Sequence, residues 1–84
     1  MAEWDGPTMR VLVVEDEAEI ARDLLRALVA AGFAAEHAAD GEAAWQRGGV
    51  EPFDAAVLDL GLPRMDGLSL IRRWRAEGVS FPIL

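Results

Sequence analysis

Three times along this chain a short apolar run gives way to a stretch whose apolar residues recur at helical spacing. The first run, Val11 to Val14, is continuous and rich in β-branched residues, the pattern of a strand covered on both faces. After Glu17 the period changes. Ile20, Leu24, Leu28 and Ala31 form a helical stripe, Leu25 and Val29 widen it, and Arg22, Asp23 and Arg26 lie away from it. Gly32 is placed to end that helix. "FAAEHAA" reads as a weaker second strand, and Asp40 as the N-cap of a second helix through Ala43, Ala44 and Trp45. Gly48 and Gly49 are expected to stop this helix early. Asp54 to Asp59 is the third strand. A third helix starts near Gly67, carries Leu68, Ile71 and Trp74 on one face with Leu70 beside them, and closes at Gly78. Pro82 then fits the first position of a fourth strand opened by Ile83 and Leu84.

The order βαβαβαβ predicts an α/β fold, a parallel sheet with helices on both faces joined by right-handed crossovers. With 84 residues there is room for one small domain. Residues 1–8, with Gly6 and Pro7, read as a flexible extension holding Trp4, and residues 9–84 as the domain. The formal net charge of −7 argues against nucleic-acid binding by this segment, since phosphate backbones need a basic face. All the basic residues are arginines, and there is no cysteine for a disulfide or a thiolate metal site. "MAEWDGPT" is acidic and lacks an apolar run, so it is no secretory signal, and no stretch reads as a membrane span. A cytoplasmic location is the expectation.

In a parallel α/β sheet, ligands bind at the carboxyl ends of the strands. Glu15 and Asp16 follow the first strand and Asp59 follows the third. If these strands are neighbours, about 4.8 Å apart, the three side chains converge. Two carboxylates about 4 Å apart repel by roughly 4 kcal/mol at an effective dielectric near 20, which a cation would relieve. A few hard oxygen ligands beside open solvent suit Mg²⁺, which keeps several waters and favours sites shared with a phosphate. Glu17 and Glu19 belong elsewhere, as acids complementing the dipole in a helix's first turn. An ordinary surface reading weighs against each acid taken singly, and less against three at two adjacent strand ends.

"RVLVVEDE", "AADGEAA", "FDAAVLDLGLPRMDGLSLIRRWR" and "FPIL" together resemble the receiver domain of bacterial two-component response regulators, in register from Met9 to Leu84. "VVEDE" and "DLGLPRMDG" look most like the subclass with a winged-helix DNA-binding output domain. The resemblance implies a flavodoxin-like doubly wound sheet with strand order 2-1-3-4. It implies that Asp59 is the phosphoacceptor, taking a phosphoryl group from a sensor histidine kinase. It implies that Asp16 is a direct Mg²⁺ ligand, that Glu15 acts beside it through water, and that the Gly61 backbone carbonyl is a further ligand. Pro63, Asp66 and Gly67 fall in the turn that shapes the loop, with Asp66 placed to cap the third helix.

Receiver domains also carry a Thr or Ser past the fourth strand and a Lys ending the fifth. This sequence stops inside the fourth strand, so the expectation is the N-terminal two-thirds of a domain, with an open fourth-strand edge through which the chain self-associates. A fragment acting only in dimerisation or partner binding is the alternative reading. An Mg²⁺-dependent phosphohydrolase of another family is disfavoured, because Leu60 and Gly61 stand where an acid–base partner would be expected. His37 reads as a surface strand residue away from the carboxylates, Trp45 and Trp74 as core, and Arg72, Arg73 and Arg75 as a solvated helix face.

Overall fold

In a computed structural model that describes residues 8–62 and 64–84, a parallel sheet is ordered β2-β1-β3 around the first strand. Its strands are β1 (Arg10–Val14), β2 (Ala34–Ala38) and β3 (Ala55–Leu58). Val11 to Val14 are all buried, as a central strand covered on both faces requires. Val11 pairs with Ala35 on one side and with Ala55 on the other, and the register runs on to Val14 opposite Ala38 and Leu58. Successive side chains of a strand point to opposite faces. Leu12, Val14 and Ala56 accordingly join Ala44, Phe53, Leu62, Leu70 and Trp74 in one apolar cluster, while the buried Val11 and Val13 lie outside it. The extension proposed for residues 1–8, with Trp4, and the role given to Pro63 fall on positions outside the described residues, Thr8 excepted.

Three helices connect the strands: α1 (Ala18–Ala30), α2 (Gly41–Val50) and α3 (Gly67–Ala76). Gly32 and Gly78, just past α1 and α3, both have positive φ, as their reading as helix stops requires. Asp40 caps α2 by accepting from the Ala43 N–H at 2.8 Å. Asp66 caps α3 by accepting from the Ser69 N–H at 3.0 Å, which holds its carboxyl below the usual range.

Some expectations are corrected and others refined. Gly48 and Gly49 do not end α2, which runs through both to Val50. The reason is packing: Gly48 is buried against Trp74, and a Cβ there would lie 2.5 Å from the indole ring. The buried face of α3 is Gly67, Leu70 and Trp74, with Leu68 half exposed. On α1 only Ala21 is fully buried, and Ile20 and Val29 stand open to solvent. The fourth strand is present only as its opening residues, as expected, with one parallel bridge, Ala56 with Ile83. Backbone bonds from Ala56 N–H to Pro82, from Leu84 N–H to Ala56 and from Leu58 N–H to Leu84 lay residues 82–84 beside β3 as expected, but three residues are too few for a ladder.

All three arginines of α3 are exposed, as a solvated helix face requires, and two of them also make contacts. Arg73 lies over the Trp45 ring at 3.8 Å, and Arg75 donates to the carbonyls of Val79 and Phe81. That second contact ties the segment leading to Ile83 back onto the helix. Trp74 is fully buried and Trp45 partly so, in agreement with their reading as core.

A charged ring closes the amino-terminal end of the sheet. Arg10 bonds Glu36 and Glu51, and Arg47 bonds the same two acids. Both guanidinium groups lie over the Phe53 ring, at 4.6 and 5.5 Å. The ring joins β1, β2 and the end of α2 through side chains about one-third exposed, so water screens part of its attraction. Hydrogen bonds from Arg47 and then Arg10 hold the Glu51 carboxyl down at about 2. Because that lies below the ordinary 4.5, the stabilisation is complete above pH 4.5 and is lost as pH falls towards 2. Acid titration of the denaturation midpoint should show this loss, and Glu51→Gln should flatten the profile over that interval. An unchanged slope in the variant would mean that other carboxylates control acid stability.

Candidate functional site

The site is built where β1 and β3 end. Because both strands are parallel and directly paired, Val14 lies opposite Leu58, and the residues that follow leave the sheet side by side. The Asp59 N–H donates to the Val14 carbonyl at 3.1 Å, so the backbone of Asp59 is still held by the neighbouring strand. Glu15, Asp16 and Asp59 each offer a carboxylate oxygen, and these oxygens lie within 4.8 Å of one another. Glu15 is buried, Asp16 exposed and Asp59 between the two. The three residues expected to converge therefore do so.

Two local bonds orient the acids. Glu15 Oε1 accepts from the Glu17 N–H at 3.2 Å, at the cap position of α1, where Glu17 itself offers no side-chain cap. Asp59 Oδ1 accepts from the Gly61 N–H at 3.0 Å, which tightens the first turn of the loop after β3. Among the described residues no arginine forms an ion pair with Glu15, Asp16 or Asp59. The cluster is a set of oxygen donors without a guanidinium to neutralise it, open on one side. That donor chemistry fits a hard divalent cation.

Loop and helix packing fix the far wall. The Gly67 N–H donates to the Leu60 carbonyl at 3.1 Å, and a Cβ on Gly67 would lie 2.7 Å from the Leu60 Cα. Only glycine lets α3 start this close to the loop. Gly67→Ala should push the loop away from the helix and cost about 1–3 kcal/mol, as overpacking does. A denaturation midpoint equal to that of the parent chain would refute the close fit. On the other side Arg64, at φ 70, reaches Asp40 at the start of α2 across 3.7 Å.

His37 is not where the sequence suggested. Its register partner is Val13, but the side chain reaches past the strand end, and Nε2 lies 2.7 Å from the Glu15 carbonyl oxygen. A single strand histidine carries no sequence signal for such a contact. The charged ring was also unforeseen, although the i,i+4 spacing of Arg47 and Glu51 is a visible sign of one of its pairs. A shallow concavity of about 310 Å³ lined by Trp45, Gln46, Gly49, Val50 and Glu77 lies at the opposite ends of α2 and α3 from the carboxylates.

No helix among the described residues is long and apolar enough to cross a membrane. Residues 11–84 match the family model of the response regulator receiver domain. The chain is 49% identical over 76 residues to the transcriptional regulatory protein PhoP of Escherichia coli, covering 90% of this chain and 34% of that protein. It is 47% identical over 76 residues to the two-component response regulator PhoP of Pseudomonas aeruginosa, with the same coverage. The chain thus spans about a third of the length of these relatives. Among solved structures, the Francisella response regulator 1452 receiver domain superimposes with a TM-score of 0.87 at 28% identity, over 90% of this chain and 63% of that one. The chemotaxis response regulator CheY4 of Vibrio cholerae gives 0.83 at 29% identity, over 92% of this chain and 66% of the other. Fold, register and similarity agree: this chain belongs to the response regulator receiver domain family.

Proposed function

We propose that the chain is the phosphoacceptor part of a two-component response regulator, with Asp59 receiving the phosphoryl group. The observation that carries this reading is the convergence of Glu15, Asp16 and Asp59 at the ends of adjacent parallel strands. Asp16, Glu15, Asp59 and the Gly61 carbonyl would hold Mg²⁺, Glu15 through water. When bound, the cation supplies charge neutralisation for the phosphoryl oxygens.

The chain's own residues supply position. β3 and its bond to Val14 fix the Asp59 backbone, and the Gly61 N–H orients one carboxylate oxygen. An Asp59 oxygen forms a bond to phosphorus as the bond from phosphorus to the donor's imidazole nitrogen breaks. The leaving imidazole takes its proton from solvent, and the product is an acyl phosphate on Asp59. Chemistry of this kind is mostly positioning and electrostatics, which is what a rigid strand end provides. The donor is a sensor histidine kinase, and by analogy with the PhoP relatives the signal passes to control of transcription. The test is intact mass after incubation with Mg²⁺ and a small-molecule phosphodonor, beside Asp59→Asn.

A further inference from the structure

We propose that His37 is a positioning residue for the carboxylate site, its imidazole fixing the peptide between Glu15 and Asp16 and so setting where both acids stand to receive the cation. This inference rests on the function proposed above and adds to it a residue outside the carboxylate set.

β1 stops being a strand at Val14, just before the two acids. Its last register pair with β2 is Val14 with Ala38, and one further backbone bond, from the Glu15 N–H to the Ala38 carbonyl at 3.2 Å, extends the pairing. β2 ends at Ala38, so the strand offers no later residue to hold the Glu15 carbonyl. His37 takes that place with a side chain, at 2.7 Å from Nε2 to the carbonyl oxygen. A carbonyl oxygen only accepts, so Nε2 carries the proton. Both ends of Glu15 are thereby fastened to β2, the N–H by backbone and the C=O by imidazole.

That carbonyl belongs to the peptide from which both acids project. Glu15 lies before it and Asp16 after it, and rotation of the peptide would swing the two carboxylates relative to Asp59. Asp16 is exposed and has no ion pair among the described residues, so its place depends on the backbone that carries it. His37 itself is partly buried, with Arg47 donating to its own carbonyl, so the imidazole is anchored from a strand that is held at both edges of the residue. Groups that orient a metal's ligands without touching the metal commonly set affinity about tenfold or more.

Calorimetric titration of the 84-residue chain with MgCl₂ alone tests the role. His37→Ala should bind Mg²⁺ about tenfold more weakly than the parent. His37→Gln, whose amide nitrogen can take the Nε2 position, should restore most of the affinity, and the shorter His37→Asn should not. The Gln and Asn variants decide the matter if the alanine chain fails to fold. Rescue by Gln over Asn is a readout that loss of packing would not produce. Equal affinity in the parent, Gln and Asn chains overturns the positioning role while leaving the proposed function intact. Equal weakening in Gln and Asn overturns it as well, since the hydrogen bond would then not be the cause. Absence of Mg²⁺ binding by the folded parent, or binding unaffected by Asp59→Asn, overturns the proposed function and this role with it.

Discussion

Incubated with Mg²⁺ and a small-molecule phosphodonor, the chain should take up one phosphoryl group, and Asp59→Asn should take up none. The asparagine keeps the shape and the capacity to accept from the Gly61 N–H but loses the carboxylate oxygen proposed to attack phosphorus. Asp16→Asn should slow the labelling by about a hundredfold, which corresponds to about 2.7 kcal/mol of lost transition-state stabilisation. That magnitude is reasonable for weakened neutralisation at a phosphoryl centre, where a bound cation contributes several kcal/mol. Peptide mapping should place the adduct on the segment holding Asp59 and not on the acids of α1. An adduct that survives in Asp59→Asn, or no adduct on a chain shown to be folded, would sink the reading. The second outcome would favour a domain that only pairs with partners.

Trp74→Ala should remove most of the fold's stability. The indole is fully buried at the centre of the cluster, meets Phe81 edge-on at 4.9 Å and donates from Nε1 to the Trp45 carbonyl at 3.3 Å. Cutting a buried aromatic to alanine costs about 3–5 kcal/mol, because the hole it leaves closes only in part. Domains are stable by only about 5–15 kcal/mol in total, and a small one sits near the lower end. Urea denaturation followed by circular dichroism should show a steep fall in midpoint or loss of the cooperative transition. The complementary change, Gly48→Ala, adds a methyl where the indole already lies and should cost about 1–3 kcal/mol. A midpoint for Trp74→Ala within error of the parent would mean that the cluster is not the seat of stability.

The carboxylate site was legible because strand and helix periods differ, and the change of period marks the strand end where Glu15, Asp16 and Asp59 stand. A parallel sheet followed from the alternation of elements, and the place of β1 beside β3, which brings the acids together, from the family resemblance. The caps at Asp40 and Asp66 were legible because an N-cap is a local bond between neighbours in sequence. What escaped the sequence depends on partners far along the chain. Gly48 looks like a helix breaker until Trp74 is laid across it, and then it is the residue that lets two helices touch. His37 looks like a surface residue until the Glu15 carbonyl is found within reach of its ring. The stripe on α1 was drawn from spacing alone, which does not say how deeply each residue packs, and two of its members, Ile20 and Val29, lie open.

The central position of β1 has a consequence for how the chain comes to be folded. Among β1, β2 and β3 each pair includes β1 and is parallel, so none of these strands forms a hairpin with the next. The N–H of Arg10 is met by the Asp54 carboxylate, 44 residues later. The first of these three strands to be made, and the most apolar, therefore waits for β3 before it has both its neighbours. Until β3 emerges, Val11 to Val14 are an exposed, sticky segment, and contacts this distant in sequence form slowly. The interval between those two strands is therefore when a nascent chain of this kind is most open to wrong contacts.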